Sequence, residues 1–230
     1  AWPVFSDPVA YPLSVKPHDI DHGDFNGDGN IDLAFGCIDS CYGVMLGNGD
    51  GSFTMPVLYA TDCTVVLDLV AGDLDNDGFD DLIIRVGSTG DLLVLRSNGD
   101  GTFTEAIVYP NEAFPYYTIW PVNDDEYLDI AGCYSDSLRV RLGMGDCTFS
   151  DPYTVPAGIS TYSVYFSDVT GDDVPDAVLP GTSCIFPHWA FSILPGLGNG
   201  LFGDPDVYFV NTSSMKHYAA CADFDGDGWR

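Results

Sequence analysis

The stretch Gly23-Asp24-Phe25-Asn26-Gly27-Asp28-Gly29-Asn30-Ile31-Asp32-Leu33 decides how this chain is read, because it returns. Its copies are Gly-Asp-Leu-Asp-Asn-Asp-Gly-Phe-Asp-Asp-Leu (Gly72 to Leu82), Ser-Asp-Val-Thr-Gly-Asp-Asp-Val-Pro-Asp-Ala (Ser167 to Ala177) and Ala-Asp-Phe-Asp-Gly-Asp-Gly-Trp (Ala222 to Trp229). A decayed copy, Pro121 to Asp129, lies between those that begin at Gly72 and Ser167. Self-similarity at a fixed period marks a repeat architecture, in which each unit buries its apolar faces only against its neighbours.

Working outward, a second element repeats in phase with the first. Leu46-Gly47-Asn48-Gly49-Asp50-Gly51-Ser52-Phe53 matches stretches ending at Phe103, Phe149 and Phe202, and the opening Phe5-Ser6-Asp7-Pro8-Val9 resembles the segment after each of those turns. The phenylalanines are 48, 50, 46 and 53 residues apart. Each period reads as four short strands. Thr64 to Val70 and Leu82 to Val86 are apolar and rich in β-branched residues, and Ser137 to Leu142 alternates as a half-solvated strand should. The segment after each phenylalanine often carries Pro, which suits an edge strand. Four strands in about 48 residues is the size of a β-propeller blade, whereas solenoid coils usually need only about 20 to 30. The expected fold is all-β: a β-propeller of four-stranded antiparallel blades, with repeats at 13–60, 61–110, 111–157 and 158–210. Residues 1–12 then supply an outer strand and 211–230 begin a further blade. That count leaves strands missing, so the expectation is a fragment of a longer polypeptide or a blade completed by another chain.

The paired Asp-rich loops and Gly-Asn-Gly-Asp-Gly-x-Phe turns resemble the FG-GAP/VCBS repeat family, which includes the propeller of integrin α chains and some fungal sugar-binding lectins. The resemblance implies a propeller, commonly seven-bladed, with calcium held in the loops between first and second strands.

The residues themselves point to the same ion. In the first loop Asp24, Asn26, Asp28 and Asp32 stand at positions 1, 3, 5 and 9, with the Asn30 carbonyl at position 7. Alternate spacing lets a curled loop aim successive oxygens inward, and an all-oxygen set suits Ca²⁺ over Zn²⁺. The second loop offers Asp73, Asp75, Asp77, Asp81 and the Phe79 carbonyl; the fourth offers Asp168, Thr170, Asp172, Asp176 and the Val174 carbonyl. The fifth has Asp223, Asp225 and Asp227 but no ninth position, and the third, with Pro121 at position 1, keeps only Asn123, Asp125 and Asp129. Weak or absent metal is expected in that third loop. Two carboxylates about 4 Å apart at an effective dielectric near 20 repel by roughly 4 kcal/mol, so three or four converging ones need a cation or protons. An EF-hand is excluded, since position 12 holds Phe35, Ile84 or Leu179 in place of a bidentate Glu.

Composition bounds the partners. Seven Lys+Arg against 35 Asp+Glu give a formal charge of −28, which repels nucleic acid and anionic lipid. No apolar run is long enough to span a bilayer. Seven cysteines show no zinc-ribbon spacing, and Cys37 and Cys41 bracket a hairpin tip where a disulfide could form. With the Asn211-Thr212-Ser213 sequon, this favours an extracellular or cell-surface setting. No HExxH or Gly-x-Ser-x-Gly motif occurs, and Trp2, Trp120, Trp189, Trp229, Tyr116 and Tyr117 read as seam packing before sugar stacking. The expectation is a non-catalytic, Ca²⁺-binding module for glycan or protein adhesion. The alternative is a structural subunit of a surface assembly or filament, self-associating through the incomplete blade; a polysaccharide-degrading enzyme comes third.

Overall fold

Apolar, β-branched runs too short for helices, punctuated by Asp- and Gly-rich bends, have one economical solution: short strands paired with their sequence neighbours. A computed structural model of the chain describes residues 8–61, 65–104, 106–112, 114, 116–183 and 189–210. Among these residues there are seventeen strands and no helix. The first blade is β1 (Pro17–Gly23), β2 (Asp32–Cys37), β3 (Cys41–Met45) and β4 (Val57–Ala60), antiparallel in that order. The second is β5 (Val66–Gly72), β6 (Asp81–Val86), β7 (Leu92–Leu95) and β8 (Ile107–Tyr109). The third is β9 (Tyr117–Trp120), β10 (Asp129–Tyr134), β11 (Ser137–Arg141) and β12 (Tyr153–Pro156). The fourth has β13 (Ser160–Thr161), β14 (Tyr165–Ser167), β15 (Asp176–Thr182), β16 (Trp189–Leu194) and β17 (Asp206–Val210). These are the four-stranded propeller blades expected, with one irregularity. In the fourth blade the inner strand is split into β13 and β14, both paired to β15. The break falls opposite Pro180, whose carbonyl accepts from Tyr162 N but which has no N–H to return.

Blades are sandwiched, so their second strands are buried on both faces: Leu82, Ile83 and Ile84 in β6 are all at most 1% exposed. Alternate side chains serve opposite seams. Leu82 and Ile84 pack with Phe25, Ala34 and Val44 of the first blade, while Ile83 joins Leu74, Phe114, Ile130 and Phe149 on the side of the third. Val122, Ala131 and Val140 pack against Leu179, Leu194 and Phe202 across the next seam. The outermost strands β4, β8, β12 and β17 are largely solvated.

The repeated Gly-Asn-Gly-Asp-Gly turns join third to fourth strands, as expected, each closed by the bridge Gly47↔Phe53, Ser97↔Phe103, Gly143↔Phe149 or Gly196↔Phe202. Cys37 and Cys41, at the facing ends of β2 and β3, are buried free thiols, so the disulfide that their spacing allows is not formed. Burial first, then the hydrogen bond with Cys41, pushes the Cys37 thiol up.

Candidate metal centre

Each of the four described Asp-rich segments links the first strand of a blade to the second, on one rim. In the first loop the backbone curls around its own carboxylates. Asp24 Oδ1 accepts the N–H groups of Gly27 (2.8 Å) and Asp28 (3.2 Å), and Oδ2 that of Gly29 (2.8 Å). Asn26 Oδ1 accepts from Asp28 N (3.0 Å), and Asp28 Oδ1 from Asn30 N (2.8 Å). Gly27 (φ 70°) supplies the left-handed turn, and a Cβ there would sit 2.3 Å from Phe79 of the next blade. The fourth loop repeats the curl, with Asp168 accepting from Gly171, Asp172 and Asp173, and Asp172 from Val174.

In the second loop Asp73 accepts from Asp77 N and Gly78 N, and Asp77 from Phe79 N. One carboxylate oxygen each from Asp73, Asp75 and Asp77 lies within 4.8 Å of the others. The donor set is hard oxygen throughout, and a cation already stands against it: the Arg96 guanidinium, with Nε 2.6 Å from Asp75 Oδ2 and Nη2 2.9 Å from Asp77 Oδ2. Such a group fits Ca²⁺ chemistry. Cys147 Sγ lies 3.3 Å from Asp81 Oδ2, but burial and that neighbouring charge push its thiol well up, so it donates to the carboxylate. It occupies the turn position held by Gly51, Gly101 and Gly200 elsewhere, at a φ of 62°.

The ninth-position residues differ from the rest. Asp32, Asp81, Asp129 and Asp176 are all fully buried. Asp32 accepts from Phe25 N (2.9 Å) and Gly47 N (2.7 Å), thereby tying the loop to the turn. Asp81 does the same with Leu74 N and Ser97 N, Asp129 with Val122 N and Gly143 N, and Asp176 with Val169, Thr170 and Gly196 N. The third loop keeps this tie even though Pro121 replaces its first Asp. Desolvation raises Asp81 and Asp129 to about 6 against the pull of those N–H groups. At the solvated rim the order reverses: the Asn30 N–H lowers Asp28.

Asn123 and Asp125 of the third loop bond to each other. Asp223, Asp225 and Asp227, like the sequon at Asn211, lie outside the described residues. Sequence reasoning missed Arg96 and Cys147; the available signal was the break in the repeat, since Leu46 and Gly51 stand at their places in the first period. It also missed Glu112, buried and paired with Arg141 and, at 3.6 Å, with Arg139.

A model of the FG-GAP-like repeat matches residues 24–84 and 122–179, more than half of the chain. The chain belongs to the FG-GAP-like repeat family. The matched segments of this FG-GAP-like protein begin at the first and third Asp-rich loops and run into the second and fourth blades. Among solved structures, it is similar to an Agrocybe aegerita lectin described as recognising non-reducing terminal N-acetylglucosamine, at 22% identity and a TM-score of 0.57. The match covers 81% of this chain and 50% of that one, so the FG-GAP-like chain spans about half the lectin's length. It also matches a chain of the Photorhabdus luminescens Tc holotoxin pore, at 17% identity and a TM-score of 0.47, covering 90% of this chain and 10% of that one. No curated protein sequence matches it.

Proposed function

We propose that this protein is a calcium-stabilised propeller that acts outside the cell as a non-catalytic binding module for glycan or protein. The observation carrying the reading is the convergence of carboxylate oxygens in the second loop, with Asp73, Asp75 and Asp77 within 4.8 Å of one another, on a backbone curl that the first and fourth loops repeat. Calcium would be held by Asp24, Asn26, Asp28 and the Asn30 carbonyl in one loop, and by Asp168, Thr170, Asp172 and the Val174 carbonyl in another. Asp32 and Asp176 close these shells while keeping their backbone bonds. The bound ion would neutralise converging carboxylates and hold the rim rigid, which favours a preorganised recognition surface.

The glycan preference is supported by likeness in fold to a lectin for terminal N-acetylglucosamine. It is also supported by two exposed aromatics: Tyr116 at 48% and Trp120 at 41%, the latter stacked on Phe166. Tyr117, in contrast, is buried and donates to the Ile83 carbonyl, so it serves packing. A glycan array that includes N-acetylglucosamine-terminated chains, read with calcium and with EGTA, tests the proposal. Calcium-dependent binding weakened by Trp120→Ala is expected, and silence across sugars and candidate protein ligands overturns it.

A second reading, a subunit of a surface assembly, draws on one feature. The first blade carries an apolar recess of about 480 Å³ lined, among the described residues, by Val9, Tyr11, Ile20, Met45 and Phe53, with Val9 and Ile20 more than half exposed. At the other seams the matching place is filled by a loop residue of the preceding blade, Phe25 against Phe103 and Leu74 beside Phe149. Sedimentation that reveals only monomers at high concentration counts against assembly through this face. Turnover of a polysaccharide by the purified protein overturns the non-catalytic reading.

A further inference from the structure

The four loops share a scaffold but not a charge environment. Arg96 sits in the turn between β7 and β8 and reaches into the second loop of its own blade, where it meets the outward oxygens of Asp75 and Asp77 at 2.6 and 2.9 Å. The matching positions of the other periods are Leu46, Leu142 and Pro195, none of which carries charge. Asp75 is only 6% exposed at its side chain, and Asp73 is engaged with backbone N–H groups, so the guanidinium takes the oxygens a divalent ion would seek. The second loop is also central to the rim. Asp80 accepts from Asp24 N and donates its own N–H to the Asp24 carbonyl, while Asn76 donates to the Glu126 carbonyl of the next loop.

Resting on the calcium reading above, we propose that Arg96 is a built-in counter-cation of the second loop. It holds Asp75 and Asp77 in place when calcium is withdrawn and competes with calcium for them. The planar guanidinium matches carboxylate pairs, and its +1 charge opposes a +2 ion a few ångströms away. The loops are therefore unequal. The first and fourth have no such ion pair among the described residues and depend on calcium for their counter-charge, while the second stays curled without it and so keeps the two neighbouring loops in register.

Calcium calorimetry and thermal melting on the whole chain test this with Arg96→Leu, the residue at that place in the first repeat. The expected result is one site tightened on the order of tenfold, with a lower melting temperature in EGTA and a larger gain on adding calcium. Adding Asp73→Asn should abolish the tightening, and adding Asp24→Asn should leave it; Arg96→Lys, which keeps the charge but loses the planar fork, should fall between wild type and Arg96→Leu. Should Arg96→Leu fail to fold, the wild-type background gives a second readout: Asp73→Asn should cost less total calcium affinity than Asp24→Asn or Asp168→Asn. Unchanged affinity in Arg96→Leu, a gain that survives Asp73→Asn, or equal losses in the three Asp variants overturns the proposal. If calcium binds the first and fourth loops and Arg96→Leu adds nothing, only this inference falls. If no loop binds calcium in any variant, the calcium reading falls with it.

Discussion

At the scale of the residue, one motif letter does two jobs. Asp at positions 1, 3 and 5 faces the rim, whereas Asp at position 9 is buried and commits its oxygens to backbone N–H groups. The third loop separates the two, because it has lost position 1 and kept position 9. Asp129→Ala would strand the Val122 and Gly143 N–H groups in the interior, at a cost of about 2–4 kcal/mol. Urea denaturation should return that loss equally in calcium and in EGTA. A half-buried carboxyl, Asp68, is raised to about 7 by desolvation, then by its hydrogen bond with Asp19 and the Asp19 charge, against the pull of Arg85. An acid whose folded pKa exceeds its unfolded value holds a proton on folding. Its contribution is therefore complete below about pH 4 and is lost as pH rises through about 7. In calcium-free buffer the urea midpoint should fall between about pH 5.5 and 8, with Asp81 and Asp129 adding in the same direction. Asp68→Asn should flatten part of that slope.

At the scale of the element, neighbouring blades share parts. The Phe25 carbonyl accepts from Ser97 Oγ and Gly101 N, and Phe79 lies over Gly27, so a loop's shape depends on the blade beside it. Gly27→Ala meets both a left-handed φ and a ring atom 2.3 Å from its new Cβ. It should cost about 1–3 kcal/mol, read from the shift in a denaturation midpoint at unchanged slope. The Cys37/Cys41 pairing that the spacing left open is settled at this scale: the two residues stand at facing strand ends as buried free thiols. The split of β13 from β14 likewise follows from one Pro at an inner ladder position that spacing alone does not locate.

At the scale of the whole molecule, stability is a sum over seams and any ions the loops take. With an affinity typical of extracellular modules (Kd about 10⁻⁴ M), millimolar calcium adds roughly 1.4 kcal/mol per site. EGTA should therefore lower the melting temperature by several degrees, and melting indifferent to the ion would refute calcium as a structural partner. The net charge of −28 works against compaction, so the same experiment at low ionic strength should show a larger calcium effect.

The all-β class, the four-strand blades, the turns and the loop positions were legible because they are local and repeated: spacing in one strand or bend dictates its own conformation, and four imperfect copies average out the noise. What the chain does with those positions was decided only by tertiary structure. Whether an Asp faces a rim or a seam depends on burial and on a neighbouring blade about fifty residues away, and whether Arg96 points outward or onto Asp75 and Asp77 depends on how the turn of its blade packs over the loop of the same blade. A one-dimensional motif states which groups are present; the dielectric around them, and the partner that reaches them, come from the packing of one sheet against the next.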